Sequence, residues 1–167
     1  GRTPLGIYAR LANAQPVADL ALHVLVSDER HVPPGAPDHN FSKMLPMLDA
    51  LGVDESRRMY PRTELALEEA ADGYELALRE FLRGGRITLA ILGLGADGHL
   101  ASLFNAADIQ AGEGQYAIAI RREPGPHRIS VTREVLTRAE RIVFIVAGPD
   151  KREIVAKAGS DTAGVVA

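Results

Sequence analysis

The sequence predicts an α/β fold with a mainly parallel sheet, and three observations carry that prediction. Short, mostly apolar runs recur at 20–26, 87–92 and 141–147. They are too short for helices and rich in aliphatic side chains, as strands buried on both faces are. Each stops abruptly at glycine or at charged residues. Between them lie segments whose apolar residues repeat at helical spacing, and strands alternating with helices build parallel sheets.

The elements follow in order. Gly1-Arg2-Thr3-Pro4 opens a helix bearing Leu5, Tyr8, Leu11 and Ala12, with Thr3 as its cap and Pro4 in its first turn. Backbone N–H groups and a hydroxyl there suit an anion. The run 20–26 ends in Ser27-Asp28-Glu29-Arg30, two acids and an arginine at a strand's carboxyl end. Pro33, Pro34, Gly35 and Pro37 make an irregular loop. Asn40 then caps a short helix with Phe41, Met44, Leu45 and Leu48 on one face, and Pro46 is expected to kink or shorten it. Residues 57–62 read as a short extended piece. The clearest amphipathic helix is 64–83, with Leu67, Ala70, Ala71, Tyr74, Ala77, Leu78, Phe81 and Leu82 on one face, ended by Gly84-Gly85.

Beyond the central strand, residues 99–104 look helical, 105–115 read as a loop, 116–120 as a strand and 121–126 as a turn with two prolines. Residues 127–132 form a strand in which His127, Ile129 and Val131 alternate with Arg128, Ser130 and Thr132. The run 141–147 leads through Gly148-Pro149 into a helix at about 149–158, with Lys151 in its first turn. A cation there opposes the helix dipole, which suggests an anion between the lysine and the helix start.

Composition narrows the function. The chain has 167 residues, 46% apolar and 25% charged, ordinary for one soluble domain with a core. The expected domain is 1–167, lacking residues at both ends: it starts on Gly1 without methionine and stops at Gly164-Val165-Val166-Ala167, which reads as the middle of an element. A net charge of −3 gives no reason to expect a nucleic-acid surface. There is no cysteine, which excludes disulfides and thiolate metal sites. No apolar run approaches the roughly 20 residues that cross a bilayer, and no signal peptide is visible, so a cytoplasmic protein with no membrane partner is expected.

The residues from 87 to 104 carry the chemistry. A buried strand gives way to Gly93, Gly95 and Gly98, with Asp97 and His99 flanking the last glycine. That is the carboxyl end of a parallel strand, where open α/β folds hold ligands. Imidazole ordinarily titrates near neutrality, so His99 can take a proton from water and return it. Asp97 can fix its tautomer or hold substrate. The glycines match the dinucleotide pattern G-x-G-x-x-G, but the acid that should end the next strand is missing, since Glu113 precedes that strand. Asp97 would also face the pyrophosphate. There is no G-x-S-x-G elbow, no Walker loop and no paired histidine spacing for zinc.

Five matches occur in one order: Gly-Arg-Thr-Pro at 1–4, Ser-Asp-Glu-Arg at 27–30, Gly-Leu-Gly-Ala-Asp-Gly-His-Leu-Ala-Ser-Leu-Phe at 93–104, His-Arg-Ile-Ser-Val-Thr at 127–132 and Gly-Pro-Asp-Lys at 148–151. Together they resemble the 6-phosphogluconolactonases, which share a superfamily with the glucosamine-6-phosphate deaminases. The resemblance runs over nearly the whole chain. It implies a Rossmann-like three-layer α/β sandwich. It also implies His99 as catalytic base with Asp97 and Asp28 beside it. Gly1, Arg2 and Thr3 match the loop around the sugar phosphate, Lys151 and Arg128 the phosphate side, and Arg30 the substrate wall. Where the deaminases carry a proton-relaying glutamate five residues past the histidine, this sequence has Phe104, as lactonases do. The expected reaction is hydrolysis of 6-phosphoglucono-δ-lactone in the pentose phosphate pathway, with no metal or organic cofactor, by a monomer or homodimer. The alternatives are a glucosamine-6-phosphate deaminase and an inactive phosphosugar-binding module.

Overall fold

In a computed structural model the described residues are 3–158. Gly1 and Arg2 lie outside them, as does the expected element at the carboxyl terminus. Among the described residues are seven strands and six α-helices, in the order α1 (Leu5–Ala14), β1 (Val24–Leu25), β2 (Asp28–Arg30), α2 (Asn40–Ala50), β3 (Arg58–Met59), α3 (Leu67–Leu82), β4 (Ala90–Gly93), α4 (Ala106–Ala111), β5 (Ala117–Ile120), β6 (Arg128–Val131), α5 (Arg133–Leu136), β7 (Ile142–Ile145) and α6 (Arg152–Ala158). No helix among the described residues is long and apolar enough to cross a membrane.

The sheets are mixed. β1 pairs with β3 and β4 with β7, both parallel. β2, β6 and β5 form an antiparallel sheet in that order. The expected parallel pairing is thus present in two small sheets, and antiparallel pairing takes the other three strands. The Arg121–Pro126 segment, with its cis Glu123–Pro124 bond, returns the chain directly beside β5; a connection this short can only join antiparallel neighbours.

Several elements differ from the sequence reading. The run 20–26 supplies only two paired residues, and Leu20 and Leu22 are exposed. Helix α1 starts with Pro4, not Thr3, at its N-cap. Helix α2 is capped by His39, whose Nδ1 accepts from Ser42 N at 3.2 Å, rather than by Asn40. Pro46 does not end it, since it runs on to Ala50. Residues 99–104 are not helical: Ala101 lies at φ 51, and Leu100 and Leu103 close an antiparallel bridge. The helix begins instead at Ala106, where Asn105 Oδ1 accepts from Asp108 N at 3.0 Å. β4 and β7 are not buried on both faces, because Leu89, Ile91, Ile142, Val143 and Phe144 are all exposed. Helix α3 packs chiefly on β5; of its expected apolar stripe Leu67, Ala70, Ala71, Tyr74, Leu78 and Leu82 are buried, whereas Phe81 is half-buried and Ala77 exposed.

Two apolar clusters hold the site. The larger joins α3 to Leu92, Leu94, Leu100, Leu103, Ile129 and Val131. The smaller lies under α2, around Val26, Phe41 and Leu48, with Phe41 stacked on Tyr60 at 3.6 Å. Between them β2 is placed by a buried acid. Glu29, fully buried and opposite Ile129, accepts from Asn40 N and Phe41 N at 2.6 Å each. It thereby satisfies N–H groups that every helix start leaves open. Burial pushes its carboxyl up and these bonds pull against that rise.

Candidate active site

A strand's period of two puts Glu29 inward and its neighbours outward. Asp28 lies opposite Ser130, and Arg30 opposite Arg128. One face of β2–β6 therefore presents a carboxylate and two guanidinium groups. The like charges are directly opposed, an arrangement that costs energy on its own. Burial, then Arg30 beside it, hold the Arg128 guanidinium below its usual value. Arg128 Nη1 donates to Pro126 O, and Arg30 Nη1 donates to Asp38 O at 3.0 Å. No carboxylate lies within ion-pair distance of Arg128 among the described residues.

The turn after β4 faces this sheet. Gly95 N donates to His99 O at 2.9 Å and Gly98 N to Gly95 O at 3.1 Å, which folds Asp97 back onto His99. Asp97 Oδ1 lies 2.6 Å from His99 Nδ1. A carboxylate can only accept, so Nδ1 carries the proton and neutral His99 holds its lone pair on Nε2. Nε2 has no hydrogen bond to any described residue. Burial would raise the Asp97 carboxyl, but the His99 hydrogen bond and charge hold it below the ordinary value. A Cβ at Gly95 would collide with both His99 Nδ1 and Asp97 Oδ1 where the pair holds them, so glycine leaves that pair its room.

One cavity of about 860 Å³ is lined by Thr3, Asp28, Arg30, Asp97, His99, Arg128 and Lys151. These are all the site residues singled out in the sequence that fall among the described residues; Gly1 and Arg2 do not. The wall carries six basic side chains, Arg30, Lys43, Arg86, Arg122, Arg128 and Lys151, against two carboxylates, Asp28 and Asp97. Such a surface favours an anion. Lys151 lies in a 3₁₀ turn, Pro149–Lys151, with Nζ 3.9 Å from Asp150 Oδ2.

Two residues were missed by the sequence reading. Arg122 follows β5 and lies over the Phe104 ring at 3.9 Å, and Phe104 in turn packs 4.6 Å from the His99 ring. In sequence it falls in the 121–126 turn; the available signal is an arginine at the end of a strand that returns as the one carrying Arg128. Ser102 is buried, and its Oγ donates to Asp28 Oδ2 at 2.7 Å. Nothing in the sequence marks that long-range bond.

The sequence model of the glucosamine-6-phosphate isomerases/6-phosphogluconolactonase family matches residues 1–165. The chain is 32% identical over 155 residues to a 6-phosphogluconolactonase of Thermotoga maritima, covering 90% of this chain and 68% of that protein. It is 31% identical over 158 residues to the 6-phosphogluconolactonase of Haemophilus influenzae, covering 92% and 68%. The crystal structure of 6-phosphogluconolactonase from Thermotoga maritima superposes with a TM-score of 0.79 at 27% identity, over 94% of this chain and 71% of that one.

Proposed function

The chain belongs to the glucosamine-6-phosphate isomerase/6-phosphogluconolactonase family, and on that premise we propose that it hydrolyses 6-phosphoglucono-δ-lactone to 6-phosphogluconate. The observation that carries the reading is the Asp97–His99 pair at 2.6 Å, with Nε2 open beside a cavity whose charged lining is mostly basic.

The phosphate binds among Arg128, Lys151 and the residues at 1–3, which anchors one end of the lactone. Each charge-assisted hydrogen bond is worth about 1.5–3 kcal/mol. His99 Nε2 takes a proton from a water, whose oxygen attacks the lactone carbonyl carbon. Charge grows on the carbonyl oxygen, and the remaining N–H groups of Arg30 and backbone N–H groups of the turn stabilise it. The tetrahedral intermediate expels the ring oxygen, which receives the proton from Nε2. The new carboxylic acid then loses its own proton to solvent, and His99 is neutral again. Asp97 keeps the imidazole in the tautomer whose lone pair is on Nε2. Phe104, packed against His99, has no group to relay a proton, which favours ester hydrolysis over sugar isomerisation.

The test is a pH-stat or coupled assay on freshly made lactone, using the full-length protein. The parent should exceed the spontaneous rate, and His99→Ala should lose about 10²–10⁴-fold in kcat. Equal rates for the two would remove His99 from the mechanism. Ammonia release from glucosamine 6-phosphate would overturn the choice of reaction.

A further inference from the structure

Among the described residues, the turn bearing His99 is hydrogen-bonded to distant strands through Ser102, while at its end Phe104 N donates locally to Asp108 Oδ2 at 2.8 Å. Its internal bonds, Gly95 N to His99 O, Gly98 N to Gly95 O and Leu103 N to Leu100 O, fix its shape and nothing outside it. Leu100 and Leu103 are buried in the core, but apolar packing resists sliding weakly, because it has no direction. Ser102, 1% exposed, supplies the direction. Its N–H donates to Ser130 Oγ at 3.1 Å and its Oγ to Asp28 Oδ2 at 2.7 Å. Asp28 and Ser130 are the cross-strand pair next to Arg30 and Arg128. Both hydrogen-bond donors of one residue are thus bonded to one rung of β2–β6.

The backbone beside this contact is not at rest. Ala101 adopts φ 51, a region that side chains with a Cβ disfavour. Such conformations persist where surrounding contacts over-determine them, and Ser102 makes those contacts. Asp28 has both oxygens engaged, Oδ1 by Ser27 Oγ at 3.3 Å and Oδ2 by Ser102.

We infer that Ser102 is a positioning residue: with Asp28 as its anchor, it sets the distance between His99 and the arginines of β2–β6. This rests on His99 as the base of the proposed reaction. A substrate pinned by its phosphate to the sheet meets the imidazole only if the turn keeps its register, and a misplacement of about 1 Å costs about 100-fold. Asp28 then serves as a fixed acceptor and not as a proton-transfer group.

Ser102→Ala, Asp28→Ala and the double variant test this together. Ser102→Ala should lower kcat for the lactone about 10- to 100-fold and leave KM within about twofold. The double variant should lose no more than the worse single one, because both remove one contact. A kcat unchanged in Ser102→Ala overturns the inference, as does a KM that rises in step, or losses that multiply in the double variant. If Ser102→Ala does not fold, Asp28→Ala breaks the same bond from the sheet side and is read the same way. If the parent itself does not hydrolyse the lactone, the functional reading fails, and the inference is read from carbethoxylation of His99 by diethyl pyrocarbonate. Faster modification of His99 in the variant than in the parent supports it, and equal rates overturn it.

Discussion

The Arg122 guanidinium lies 3.9 Å over the Phe104 ring, and that ring meets the His99 ring at 4.6 Å with a tilt of 55°. A cation laid on an aromatic face is held without a carboxylate, so its N–H groups stay available to a ligand. No ion pair engages Arg122 among the described residues. Arg122→Ala should therefore raise KM for the phosphorylated lactone about 10- to 100-fold, the worth of one charge-assisted bond. Arg122→Lys should recover only part, since an ammonium cannot stack flat. Steady-state kinetics on both variants checks this.

Lys151 is expected to act on binding. Its ammonium lies 3.9 Å from Asp150 Oδ2, a loose contact that an incoming phosphate outcompetes. Lys151→Ala should raise KM about tenfold or more and change kcat little. An unaltered KM with a reduced kcat would place the lysine at the carbonyl end instead.

Gly95→Ala should disable the enzyme without unfolding it. The added Cβ would overlap both members of the Asp97–His99 pair, and neither can give way while the pair persists. The expected result is a kcat near that of His99→Ala with a small change in Tm. Activity close to the parent's would show that the pair is dispensable.

Asp97 links stability to pH. Its folded carboxyl ionises below the ordinary value of 3.8, so the ionised group stabilises the fold above that value. The contribution is lost as pH falls through the lower, folded value. The side chain is 61% exposed, so the effect is small. Asp97→Asn should unfold at slightly lower urea than the parent at neutral pH, and the difference should vanish well below 3.8. A difference that persists in acid would mean the pair does not depend on the charge.

Much of the site was legible because its residues sit where chain direction changes. Asp28, Arg30, Asp97, His99 and Lys151 each follow an apolar run, and that pattern survives in one dimension. Arg122, Phe104 and Ser102 owe their places to contacts between distant segments; Ser102 and Asp28 are 74 residues apart. The α/β class was legible from alternation, whereas the antiparallel sheet was not. Ser130 and Thr132 look like an exposed polar face, yet both are buried, because hydroxyls can be satisfied inside a sheet: Thr132 Oγ1 donates to Gln115 O at 2.5 Å. The helix expected at 99–104 failed for a similar reason. Ser102 N bonds to a side chain on β6, not to a carbonyl one turn back.

The opposition of Arg30 and Arg128 on neighbouring strands bears on how the protein should be handled. Any oxyanion that settles between them relieves a repulsion the bare fold must carry, so phosphate and sulfate buffers will protect the protein from heat while obstructing its turnover. At a hundred times its dissociation constant such an ion adds about 2.7 kcal/mol to stability. The buffer that gives the sturdiest sample is thus the one in which activity is most easily overlooked.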